Sequence, residues 1–217
     1  MSRARDEQEM RNGLEVMRWI EHLTAHPDVT IDLDLICHFN RLILRGTDRD
    51  YWAGRFRAEV DWQAPEEWGR PRAIVAPDKP GLAVVNPQTG EPIVAFPPDS
   101  EVKPMLDALL GWLVSPEAAR EDPVIRAAIF HQQFTQIHPF RDGNGRTARA
   151  LMTLMLRREG YWFEVLVLQR LLDERREAYI AALRHADRGD LTQWLEFFTA
   201  TLADAIAETA RLIEAPD

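Results

Sequence analysis

Residues 138–149 read His-Pro-Phe-Arg-Asp-Gly-Asn-Gly-Arg-Thr-Ala-Arg, and the flanks of this stretch set the architecture around it. Upstream, Ala127, Phe130, Phe134 and Ile137 recur at helical spacing behind Asp122, a good N-cap, and Pro123, which suits a first helical turn. Pro139 disfavours helical geometry at the residue before it, so that helix ends with His138 at its exit. Downstream, Ala148, Leu151, Met152, Met155 and Leu156 fall at i, i+3, i+4, i+7 and i+8, and Gly160 closes a second helix behind Arg157 and Arg158. The dodecamer is therefore a loop joining two buried helices.

Its residue types suit a polyphosphate beside a proton acceptor. Asp142-Gly143-Asn144-Gly145 lies where the second helix begins, so successive backbone N–H groups lack intrahelical partners and can converge on an anion. The two glycines let phosphate oxygens approach the main chain. Arg146 and Arg149 share one face of the first turn, where the positive end of the helix disfavours unpaired cations and a bound polyphosphate reverses the penalty. Asp142 is the loop's one carboxylate and suits Mg²⁺, which takes one or two carboxylates together with phosphate oxygens. His138 supplies a base that is neutral at pH 7, and the negative end of its helix should raise its pKa. Phe140, apolar between polar neighbours, reads as the structural anchor under the loop.

The rest of the chain serves to present this loop. Its 217 residues, 46% apolar and 28% charged, suffice for one core and are few for two domains, so 1–217 reads as a single domain. The lone Cys37 can form no internal disulfide and reads as core packing. Neither a signal-peptide apolar segment nor a membrane-length apolar run occurs, so no membrane association and a cytoplasmic location are expected. A net charge of −9 argues against nucleic-acid partners, whereas Arg141, Arg146, Arg149, Arg157 and Arg158 gather positive charge around the loop.

Helices are predicted over 6–24, with Val16, Met17, Ile20 and Leu23 inward, and over 31–44, with Ile31, Leu35, Phe39 and Leu42 inward. The Pro- and Gly-rich stretch 45–98 contains two short strands, 82–85 and 93–96, about an Asn-Pro-Gln-Thr-Gly turn. Helices resume after caps at Ser100, Ser115 and Asp122, and again over 171–186 and 191–213. The hairpin can edge the site and pair through its main chain with an extended target segment. His131 lies about 10 Å along the helix from His138, too far to share a metal ion, and reads as packing or support. The scattered tryptophans read as core and flap packing, and 174–177 as a solvated helix face.

HPFRDGNGRTAR resembles the complete active-site motif of the Fic family, HxFx(D/E)GNGRxxR. Residues 12–20, Gly54-Arg55-Phe56-Arg57, the hairpin before Pro97-Pro98, and 179–198 with Gly189-Asp190 resemble family landmarks in order, covering roughly residues 10–205. The resemblance implies an all-α domain with one β-hairpin flap that transfers AMP from ATP to a hydroxyl side chain of a target protein docked on residues 82–96. It implies that His138 deprotonates the hydroxyl and that Asp142 holds Mg²⁺. It further implies that Gly143, Asn144 and Gly145 cradle the phosphates, with Arg146 and Arg149 on the β and γ groups. Many members carry Asn at the adenine-contacting position where this chain has Asp187, so the choice among nucleotides stays open. Other transfers on the same scaffold, Doc-like phosphorylation or attachment of another nucleotide or phosphocholine, remain alternatives, as does a nucleotide-sensing module without chemistry. Gly143 and Gly145-Arg146 resemble the AMP-transferring pattern, and His138 argues against mere sensing. Family members are commonly restrained by a helix bearing (S/T)xxxE(G/N). Thr192 to Glu196 fits its first part, but Phe197 follows within an apolar helix. The chain alone is therefore expected to be active and growth-inhibiting, as a toxin is, with restraint from an antitoxin-like protein presenting Glu to Arg149 or from a longer N-terminus.

Overall fold

Local punctuation fixes most of the helix ends. In the computed structural model, which describes residues 3–59, 81–85 and 92–214, helices α1 (Arg3–Thr24) and α2 (Leu33–Leu44) come first. Two 3₁₀ turns follow, Asp50–Trp52 and Arg57–Glu59, and then strands β1 (Gly81–Val85) and β2 (Pro92–Pro98). The chain continues with α3 (Asp99–Leu113), α4 (Pro116–Arg120), α5 (Pro123–Ile137), α6 (Asn144–Arg158), α7 (Val165–Glu174), α8 (Arg176–Ala186) and α9 (Thr192–Glu214). The all-α class with one hairpin is as expected: β1 and β2 pair antiparallel, with Ala83 opposite Ala95 and Val84 opposite Val94. The turn read at 86–90, like Trp62 and Trp68, lies outside the described residues.

The capping chemistry acts where it was expected at two of three sites. Asp122 accepts the Val124 N–H at 2.8 Å and Ser115 accepts the Ala118 N–H at 3.2 Å, each ahead of a proline in the first turn. Ser100 does not cap: α3 starts at Asp99 with Pro98 in the cap position, because β2 runs straight into the helix. Ile31 likewise falls outside α2, whose cap is Asp32, accepting from the Leu35 N–H at 2.8 Å.

One helix over 171–186 was also expected, and two are found. The break falls at Arg175, whose guanidinium donates to Thr201 (3.2 Å) and Asp204 (2.6 Å) on α9. A tertiary contact to a neighbouring helix thus accompanies the break, while Glu174, Arg176 and Glu177 beside it are exposed, as the solvated face read at 174–177 requires.

The apolar side chains form one buried cluster centred on α5 and α6. On α5, Ala127, Phe130, Phe134 and Ile137 are buried as the spacing predicts. α6 departs from the single stripe: Thr147, Ala150, Thr153 and Leu154 are buried as well, because α5 packs on one side and α1 and α2 on the other. Asn12 of α1 joins the first layer by donating to the Ile43 and Arg45 carbonyls (3.1 and 2.7 Å), acceptors that the end of α2 leaves unpaired. Trp162, expected to pack, is 68% exposed under Arg157, whose guanidinium lies 4.2 Å from its ring centroid.

Candidate active site

The loop between α5 and α6 is held by its own side chains. Phe140 is fully buried, stacked on Phe56 (centroids 5.3 Å apart) and near Phe134, so it is the anchor the sequence suggests. Asn144 accepts the Phe140 N–H at 2.9 Å and donates to the Phe140 carbonyl at 2.8 Å. Its amide is therefore committed to closing the loop, and what it can offer an anion is its main-chain N–H. Gly143 sits in the left-handed region (φ 80°), and a Cβ there would come within 2.9 Å of Asn40 Nδ2, so the position requires glycine. The N–H groups of Asn144, Gly145 and Arg146 then open α6, where no preceding turn supplies acceptors.

The two arginines of the first turn differ in their surroundings. Arg146 stands between two carboxylates, 3.6 Å from Glu9 of α1 and 3.8 Å from Asp142. Arg149 lies over Gly145, where a Cβ would meet its Nη1 at 3.3 Å, and its charge acts on Tyr179 of α8. Tyr179 in turn meets His131 Nε2 at 2.8 Å, and His131 is fully buried and stacked on Trp194. Burial, and secondarily Arg149, push the His131 pKa down to about 3, so it is a neutral packing group that supports Tyr179. Arg157 and Arg158 do not belong to this cluster. They end α6, where Arg158 donates to the carbonyls of Leu23, His26 and Val29 and Arg157 to that of Phe163.

His138 terminates α5 in the left-handed conformation (φ 52°), the one positive φ among the described non-glycine residues. Its Nδ1 faces the Thr135 carbonyl at 3.2 Å, an acceptor only, so Nδ1 carries the proton and Nε2 presents a lone pair. The expectation of a raised pKa is overturned. Burial is the main cause of a pKa pushed down to about 4; the Thr135 carbonyl opposes it and Arg57 adds to it. The hairpin supplies the cover: Phe96 of β2 stacks on the imidazole with centroids 3.8 Å apart and planes 19° from parallel.

A family model described as Fic/DOC family matches residues 30–156, more than half of the chain. The chain belongs to the Fic/DOC family. Over 96 residues it is 38% identical to the protein adenylyltransferase fic-1 of Caenorhabditis elegans, covering 44% of this chain and 18% of that protein. It superposes on the solved structure of Fic-1 (aa134–508) from C. elegans with a TM-score of 0.70 and 25% identity, over 98% of this chain and 53% of the other. A Fic family protein from Desulfovibrio desulfuricans gives 0.69 and 25%, over 100% and 57%. The chain thus spans about a fifth of the length of that curated relative and about half of each of these solved structures.

Asp187, the candidate adenine contact, ends α8 with its carboxylate accepting from Gln132 Nε2 at 2.9 Å, and burial raises its pKa. The structure therefore ties it to α5, six residues ahead of His138. Three supporting residues of the Fic site received no role from the sequence alone. Asn40, fully buried, donates to the Asp142 carbonyl (3.0 Å) and Thr147 (3.3 Å) and accepts from the Gly54 N–H (2.9 Å), joining α2 to the loop. It was findable, since it is a polar residue at i+4 from Ile36 on an otherwise apolar face. Tyr179 and the fully buried Arg57 lie in stretches that resemble family landmarks, which marked the segments and gave these two side chains no role.

Proposed function

We propose that this chain transfers AMP from ATP to a hydroxyl side chain of a target protein. The observation that carries the reading is a neutral imidazole, lone pair on Nε2, at the exit of α5, beside the glycine-lined start of α6 that bears Arg146 and Arg149. The adenylyltransferase name of the curated relatives supports it. The target oxygen forms a bond to the α-phosphorus as Nε2 takes its proton, and the bond from that phosphorus to the bridging oxygen breaks. The electron pair leaves on pyrophosphate, whose charge Arg146, Arg149 and the N–H groups of α6 receive.

Mg²⁺ fits the donor set through Asp142. Its Oδ1 is fixed by the Gly143 N–H at 2.6 Å, and Oδ2 lies 3.9 Å from Arg49, a separation long enough for the carboxylate to serve a second cation. Among the described residues no three-ligand cluster could bind the ion unaided, so phosphate oxygens would complete its shell. When bound, it supplies charge neutralisation on the triphosphate. Asp142→Asn is expected to shift the Mg²⁺ requirement of transfer upward by about tenfold, roughly one lost charge-assisted contact. A metal titration with unchanged midpoint would place the ion elsewhere.

The depressed His138 pKa gives a pH signature. A base must be neutral to act, so the rate should stay level as pH falls through 6.5 and decline toward about 4. Rates of transfer between pH 4 and 8 check this, and half-loss at pH 6.5 would contradict it.

The target's extended segment is read as pairing with the hairpin, whose β2 lies against α3 and α5 and whose Phe96 covers the base. For control, a separate antitoxin-like protein is read as inserting a side chain into a cavity of about 250 Å³ lined by α1, α2, α6 and α7, with Val16, Ile20 and Ile43 among its apolar lining and Glu9, Arg146 and Arg149 among its charged. A carboxylate placed there would pair with Arg149 and exclude the γ-phosphate. Without it the chain acts as a growth-inhibiting toxin in the cytoplasm, where ATP is abundant. No described helix is long and apolar enough to cross a membrane.

Incubation with a cell lysate and ATP labelled at either the α- or the γ-phosphate tests the reading, with mass spectrometry of the modified proteins. Protein-bound α-label with no γ-label is the expected result. Protein-bound γ-label would establish phosphorylation instead, and no label with retained ATP binding a sensing module. Expression beside His138→Ala, with growth followed, tests the toxin reading.

A further inference from the structure

We propose that Arg57 is a positioning residue for this transfer, one that fixes the base His138 and the end of the β-hairpin to each other; the role rests on reading His138 as the base. Its guanidinium is fully buried, an unusual place for arginine, and its bonds run to two segments that meet at the imidazole. Nε donates to the His138 carbonyl at 2.9 Å, Nη2 to the Pro97 carbonyl of β2, and Nη1 pairs with Asp99 at the start of α3. The Arg57 main-chain N–H donates to the Pro139 carbonyl at 2.8 Å.

The partners decide the role. One carbonyl belongs to the base, and the other follows Phe96, the residue stacked on that base. His138 holds a left-handed conformation that non-glycine residues seldom adopt. Its own helix contributes the Phe134 carbonyl to its N–H and the Thr135 carbonyl to Nδ1, and Arg57 grips it from outside that helix. A planar fork can serve both carbonyls and a carboxylate at once, and a cation at the end of α5 also suits the negative end of the helix. Lysine, a point donor on a flexible stem, cannot span the same three partners. Arg57 is the charged group that acts on His138 from outside its own helix, and Asp99 is the carboxylate paired with that guanidinium. The Thr135 carbonyl and the Phe96 ring complete its surroundings.

Nuclear magnetic resonance of the full chain with labelled histidine reads this without any target protein, because Phe96 should displace the His138 ring resonances by its ring current. In Arg57→Met/Asp99→Asn, which strands no buried charge, that displacement should vanish and the His138 pKa should climb from about 4 toward its ordinary value. Transfer of α-labelled AMP should fall by about 100-fold, as for a misplaced reacting group, with ATP affinity unchanged. Arg57→Lys, which keeps the charge but not the fork, should lose the ring displacement and let the pKa rise too, by less than in the double variant because its cation still opposes protonation. Asp99→Asn, which leaves the fork on its carbonyls with its charge unopposed, should move the pKa further down, so the single and double variants differ in sign. A folded double variant with wild-type His138 resonances and pKa would overturn the proposal. Should the double variant not fold, an unchanged Phe96 ring displacement of the His138 resonances in Arg57→Lys would overturn it. If wild type transfers no label while the resonances respond as described, the transfer reading fails and the positioning of His138 stands.

Discussion

His138→Ala should abolish AMP transfer while leaving ATP binding near its wild-type strength. A positioned general base contributes about 10²–10⁴-fold to a rate, and here there is no understudy: His131, seven residues back, is buried against Trp194 and bonded to Tyr179. The phosphate contacts come from other groups, the N–H groups at the start of α6 and the guanidinium groups of Arg146 and Arg149. Calorimetry with ATP and a labelled-ATP transfer assay separate the two effects. The Phe96 ring loses its stacking partner in this variant, so the hairpin should open more readily, which adds to the loss of transfer and not to a loss of nucleotide. Transfer at the wild-type rate would remove His138 from the base role, and loss of ATP binding by a folded variant would assign it to the nucleotide instead.

Much of this site was legible because its determinants are local. Asp122, Pro123, Pro139 and Gly160 mark the ends of α5 and α6 through dihedral and hydrogen-bonding preferences that need no tertiary partner. What escaped reading depends on contacts between distant segments. The direction of the His138 pKa shift followed from a helix end when argued locally, yet burial under a ring 42 residues away reverses it. The break at Arg175 has no Gly or Pro to announce it, since its reason lies on α9. Arg57 stood in a stretch that resembles a family landmark, yet its role was not legible, because the ordinary expectation for arginine is exposure and only the meeting of β2, α3 and the end of α5 makes a buried guanidinium tenable. Asn40 shows the converse: its polar side chain on an apolar face was a signal in plain view, and its meaning appeared once α2 was seen against the loop.

Arg149→Ala should sharply reduce the preference for ATP over AMP. Hydrogen bonds to charged groups contribute about 1.5–3 kcal/mol, so losing this fork should weaken ATP binding by roughly 10–100-fold. AMP has no β or γ phosphate for it to meet and should bind as before. The environment of Arg149 makes the effect large. Its Nε is buried with no hydrogen-bond partner among the described residues, so the side chain is placed with donors to spare. Arg146 differs, being near two carboxylates already, Glu9 and Asp142, from which a phosphate must draw it. Glu9→Gln should therefore tighten ATP binding modestly, opposite in sign to Arg149→Ala, since it frees Arg146 without removing a donor. Tyr179→Phe should weaken it by less than Arg149→Ala, because the hydroxyl neighbours the guanidinium and supplies no phosphate contact of its own. Calorimetric titrations of the three variants with ATP, ADP and AMP, each at two salt concentrations, supply the comparison. Equal weakening of ATP and AMP in Arg149→Ala would mean that the guanidinium serves the loop's structure, and the polyphosphate would then have to lie along the opposite face of α6.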